Sequence, residues 1–194
     1  MKLNKFLFFI VIIFQFLIII LMLLYANTIL GSEKIVRLKA NLYDPYDFMK
    51  GRYINLSFDI ENEFITSLPS IKNYSKEELN KKKRFPIYYI LSQKEDGFYH
   101  VEDISFEKPQ EDKIFIKTKI KDIYDTKIVL KINFREYYLQ EDYALKGENI
   151  LRSLDREKFI PNLILGVDKN GRTIQKGFFI NEIPIEKFIK EQNK

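Results

Sequence analysis

The sequence predicts a mainly β, α+β domain: an antiparallel β-sandwich or partly open barrel with two short helices, preceded by one N-terminal transmembrane helix. Three observations carry that expectation. An apolar run fills residues 6–25, short segments of alternating apolar and polar residues recur after it, and Gly-containing turns separate several of them. A length of 194 residues suits one domain.

The first element is Phe6 to Tyr25, FLFFIVIIFQFLIIILMLLY, in which Gln15 is the only strongly polar side chain. About twenty helical residues cover about 30 Å, the thickness of a bilayer's hydrocarbon core. A cleaved signal peptide is the competing reading. Its apolar region is usually about 7–15 residues long and ends in a small-x-small site. Here the run is longer, and with Ala26 at the −1 position Leu24 would occupy −3. The expectation is therefore a short tail (1–5), a membrane-embedded helix (6–25), a linker (26–32) and a β-rich outer domain (33–194). Lys2 and Lys5 favour a cytoplasmic N-terminus. Lys34, Arg37 and Lys39 weaken that bias, but large C-terminal domains translocate largely regardless of charge.

Composition excludes several chemistries. No cysteine means no disulfide framework, thiolate zinc site or cysteine nucleophile, and a single histidine, His100, excludes a multi-histidine metal centre. No cofactor motif is found and none is expected. The formal charge of +5 includes Lys2 and Lys5, so residues 26–194 carry a net +3 on a mixed surface, which gives nucleic-acid binding no support. The densest basic cluster, Lys81-Lys82-Lys83-Arg84, reads as a solvated helix end.

Beyond the apolar run, period-two alternation predicts strands at Glu33–Tyr43, Tyr53–Ile60, Phe85–Gln93, Phe98–Phe106, Lys113–Ile120, Lys127–Phe134, Asn162–Asp168 and Arg172–Ile180. Lys169-Asn170-Gly171 and Glu95-Asp96-Gly97 mark hairpins. One helix has a full set of start signals: Ser75 as N-cap, Glu78 closing a capping box, and Tyr74 with Leu79 as a staple. It should end near Arg84, before Pro86. A second is expected from Asp142 to Leu154, with Gly147 as its weak point, and Pro184–Gln192 can add a last amphipathic turn.

Asp44-Pro45-Tyr46-Asp47 followed by Gly51-Arg52-Tyr53, Leu56 and Phe58 resembles the defining motif of the bacterial GDYXXLXY protein family. Gly51, Tyr53 and Leu56 match; Arg52 stands where the family has aspartate, and Phe58 replaces the final tyrosine. Whether the aspartate's role passes to Arg52 is open. Tyr88-Tyr89, Asp96-Gly97, Glu136 to Glu141 and Val167 to Gly171 follow in the family's order. The resemblance implies a short membrane-anchored bacterial protein; together with the charge reading above, the expected location is the cytoplasmic membrane with the domain periplasmic or extracellular. The resemblance implies no assigned activity, and a polytopic membrane protein as neighbour and partner.

On physical grounds alone the motif is a turn into a strand: Asp44 and Asp47 can bond backbone amides around Pro45, and Gly51 permits a close approach. Glu136, Tyr138 and Glu141 form a possible secondary site, though a glutamate near a helix start also has a structural reason to be acidic. No catalytic set and no metal ligands are recognised. Three functional classes follow. The leading one is a non-enzymatic accessory or interaction module tethered through residues 6–25. The second is a serine peptidase similar in layout to type I signal peptidases, with Ser32 as nucleophile. The third is a ligand-binding domain with an apolar cavity lined by tyrosines.

Overall fold

The structure, a computed structural model, describes residues 2–31, 34–42, 53–64, 67–110, 112–125, 127–140, 143, 146–147, 150–151 and 153–192. Helix α1 (Lys2–Leu30) contains a segment, Leu7–Thr28, long and apolar enough to cross a bilayer and not buried against the rest of the chain. It outruns the expected 6–25 at both ends. Residues 26–30 hold no glycine or proline, so the expected linker continues the helix until Gly31, whose N–H bonds the Asn27 carbonyl at 2.9 Å.

After α1 the chain is mostly β. Strands β1 (Lys34–Leu42), β2 (Tyr53–Phe58), β9 (Glu136–Tyr138), β10 (Pro161–Val167), β11 (Thr173–Ile180) and β12 (Ile183–Pro184) form an open antiparallel sheet in the order β12-β11-β10-β1-β2-β9. Two three-stranded antiparallel sheets complete it. One runs β3-β8-β7, from β3 (Asn62–Phe64), β7 (Ile120–Ile123) and β8 (Lys127–Leu130). The other runs β5-β4-β6, from β4 (Ile87–Gln93), β5 (Tyr99–Ser105) and β6 (Ile114–Thr118).

The expected strands are present with changed limits, and the changes share a cause. Alternation tells which face of a strand is buried but not which partner it meets. The run Lys113–Ile120 therefore divides at Lys119, where the chain leaves β4's edge for β8's, and the Lys119 carbonyl accepts the Lys131 N–H at 2.9 Å. Lys127–Phe134 stops pairing at Leu130, and Tyr53–Ile60 gives way after Phe58 to a 3-10 turn, Asp59–Glu61. Strand β9, in a stretch expected only to precede a helix, exists because β2 offers it an edge.

The local devices form as read. Gly97 and Gly171 adopt positive φ, +80° and +75°, at the two hairpin turns. The Ser75 hydroxyl accepts the Glu78 N–H at 3.2 Å while the Ser75 N–H reaches the Glu78 carboxylate at 2.8 Å, opening α2 (Lys76–Lys82). The basic end of α2 is less free than expected: Lys83 pairs with Asp122 at 3.0 Å, and the Lys82 ammonium lies 4.2 Å from the Phe106 ring centre. Of the expected second helix, residues 143, 146, 147, 150, 151 and 153 are helical. Gly147 has a packing reason: a Cβ there would stand 2.9 Å from Ile189 of the C-terminal helix α3 (Ile185–Gln192) and 3.4 Å from Ile54. One continuous core joins Val36, Leu56, Leu130, Tyr89, Leu151 and Phe188, so the three sheets share a single apolar interior.

Among the described residues, one charged group lies inside that interior. Glu61 is 3% exposed; its carboxylate accepts the Phe58 N–H at 2.9 Å and the Arg135 guanidinium. Burial pushes its pKa up, against the downward pull of Arg135 and of the Phe58 N–H. A carboxyl raised in the folded state contributes stability that is fully present below its unfolded value and lost as pH rises through the folded one. Glu61→Gln removes this proton but not the other carboxylates. The melting temperature of the native chain relative to E61Q is therefore expected to fall from about pH 4 to pH 7; a flat or rising difference contradicts the assignment.

Candidate functional site

Strand β2 carries the described part of the motif. Ile54, Leu56 and Phe58 point into the core, with Leu56 fully buried and Phe58 edge-on to Phe134 at 5.2 Å between ring centres. Leu56 and Phe58 are thus packing positions in this chain. Asp44, Pro45, Asp47, Gly51 and Arg52 lie outside the described residues, as do Glu141 and Ser32. On the opposite face of β2, Tyr53 pairs in register with Tyr138, and their rings are 5.7 Å apart.

Glu136 and Tyr138 come together because residues two apart on a strand share a face. The Tyr138 hydroxyl donates to Glu136 Oε2 at 2.8 Å, and this bond, with the negative charge behind it, holds the Tyr138 phenol above its ordinary pKa. Tyr137 turns the other way, onto Phe178 at 5.5 Å. The loop leading to β9 is fixed from β11 by Gln175, whose amide donates to the carbonyls of Phe134 and Glu136 at 3.0 and 3.1 Å.

These residues wall a groove of about 540 Å³ whose lining runs from Glu136 and Tyr138 through Asn133 and Phe134 to Thr173–Gln175, Lys117 and Arg172. It differs from the tyrosine-lined apolar cavity expected of a ligand-binding domain: Tyr138 is its one tyrosine, and charged and polar groups share the lining. Both cations are positioned by the β10–β11 hairpin. The Asp168 carboxylate accepts the N–H groups of Asn170 and Arg172, each at 2.8 Å, and the Gly171 carbonyl accepts the Lys117 N–H at 2.7 Å. A Cβ at Gly171 would lie 2.8 Å from both the Lys117 nitrogen and the Phe115 ring, so only glycine permits the approach. Arg172 in turn meets α1: it donates to the Tyr25 hydroxyl and lies 5.1 Å from that ring's centre.

Sequence reasoning found Glu136 and Tyr138 but missed Lys117, Arg172 and Gln175. Arg172 directly follows the Asn-Gly turn, yet nothing local signals that it faces a strand more than fifty residues earlier in the chain. His100, read as a surface or packing residue, bonds Asp96 at 3.0 Å. Among the described residues no group of histidine, aspartate and glutamate is arranged to hold a metal. What the groove offers chemically is two cations, neutral hydrogen-bonding groups and one phenol-bonded carboxylate.

The class defined by these features is an antiparallel β domain led by a long apolar helix, with an open groove of mixed polar and apolar lining on the domain. The chain belongs to the GDYXXLXY protein family, whose pattern it matches over residues 15–177, from inside α1 to within β11. No curated protein and no solved structure matches it.

The phenol shift yields a direct check. In E136Q the Tyr138 pKa should drop toward the ordinary tyrosine value, and an ultraviolet titration of E136Q against the native chain should show one tyrosine ionising at lower pH. Superimposable titrations would mean that the hydroxyl does not bond Glu136.

Proposed function

We propose that α1 is an uncleaved membrane anchor and that the chain is a non-enzymatic interaction module of the bacterial cytoplasmic membrane. In this reading the N-terminus lies inside, the β domain lies at the outer face, and the partner is a polytopic membrane protein. The observation that carries the reading is the Arg172–Tyr25 contact, which fastens the domain to an apolar helix of spanning length. Cleavage after Ala26 would remove the tyrosine that Arg172 engages. The family match supports retention, since it takes in the second half of the helix. Exposed Tyr138, on the edge strand of the large sheet and with its ring packed at a tilt against Tyr53, offers an aromatic contact surface of the kind protein interfaces favour.

The absence of native cysteine makes single-cysteine topology mapping clean. The chain should resist alkaline carbonate extraction. Lys72→Cys should label with a membrane-impermeant maleimide in intact spheroplasts, and Asn4→Cys only after lysis. Extraction by carbonate overturns the anchor, and reversed labelling overturns the orientation. Purification in mild detergent should retain a polytopic partner; a repeatedly lone chain counts against the interaction module.

A further inference from the structure

We propose that the groove docks the phosphate headgroup of an anionic phospholipid from the leaflet at which α1 emerges. The inference rests on the reading of α1 as a spanning helix and adds a ligand class to the domain. Position is the first argument. Arg172, in the groove lining, touches Tyr25, which lies within the apolar segment Leu7–Thr28. Tyrosine near the end of a spanning helix sits at headgroup depth. The groove therefore opens beside the lipid phosphates.

Charge is the second argument. Lys117 and Arg172 supply two cations, and the planar guanidinium fork suits phosphate oxygens. More lysines crowd the same end of the domain: Lys34 bonds the Lys113 carbonyl at 3.0 Å, and Lys108 bonds the Asn170 side chain at 3.2 Å. The one carboxylate in the lining, Glu136, already accepts the Tyr138 hydroxyl, and the Asp168 carboxylate is engaged by turn amides. Size is the third: the groove is open to solvent, and its volume of about 540 Å³ leaves room for a phosphoglycerol headgroup.

The chain has no tryptophan, so Tyr25→Trp gives a single fluorophore that keeps an aromatic face for Arg172. The full-length Y25W chain is reconstituted in vesicles, and its quenching by brominated phosphatidylglycerol is compared with that by brominated phosphatidylcholine. A basic residue at the surface strengthens binding to anionic lipid roughly fivefold, so the glycerol lipid should be preferred at least about fivefold. K117Q/R172Q should bring the preference to about one, and K117R/R172K, which keeps both charges, should retain it. Equal quenching by the two lipids overturns the proposal, as does a preference unchanged in K117Q/R172Q. Displacement of the lipid by soluble glycerol phosphate overturns the lipid source in favour of a soluble phosphate ester. Carbonate extraction of the same vesicles separates the two readings: a released chain fails the spanning helix, whereas a retained chain without preference fails only the groove.

Discussion

The ion pair between Glu61 and Arg135 is the contact on which the groove wall depends. Glu61 sits in the 3-10 turn that ends β2, and Arg135 immediately precedes β9; the Arg135 carbonyl also accepts the Leu56 N–H at 2.8 Å. The pair and that backbone bond together join the motif strand to its neighbour. A strand of three residues, such as β9, has too few ladder bonds to persist alone. Burying a charge brings little net stability compared with an apolar group, but removing Arg135 leaves the buried Glu61 without its cation and costs up to about 3–5 kcal/mol, whereas Arg135 itself is part-exposed to water. The interaction therefore acts mainly on specificity: it makes one partner for β9 far better than any other.

From that wall the groove follows by short steps. Gln175 bonds the carbonyls on either side of Arg135, so the loop before β9 is tied to β11 as well as to β2. The β10–β11 hairpin then places both cations. Its tip packs against β6 through a glycine that tolerates positive φ and backbone contact at once, which brings Lys117 beside Arg172. Arg172 finally ties the assembly to α1. A single hairpin thus sets the charge of the groove and its distance from the apolar helix.

What was legible in the sequence was what neighbouring residues decide. The Ser75–Glu78 capping box, the Asp96-Gly97 and Asn170-Gly171 turns, the apolar helix and the alternation of β2 each depend on residues within a few positions of one another. Glu136 and Tyr138 stood out by residue type, but the hydrogen bond between them was not foreseen. Contacts between distant residues were not legible. Glu61 and Arg135 are 74 positions apart and Tyr25 and Arg172 are 147 apart. A lone glutamate after a strand looks like any surface acid until the sheet closes over it. The limits of β6, β7 and β8 were misread because alternation is the same whichever sheet a strand joins.

The account turns on whether Glu61 and Arg135 act as one unit. A double-mutant cycle on the full-length chain, using E61A, R135A and E61A/R135A with stability read by denaturant unfolding, measures this directly. R135A, which leaves the buried Glu61 without its cation, should cost up to about 3–5 kcal/mol, E61A less, and the double variant scarcely more than R135A. Costs that simply add would contradict it, and would leave β9 held by its backbone bonds and Gln175 alone.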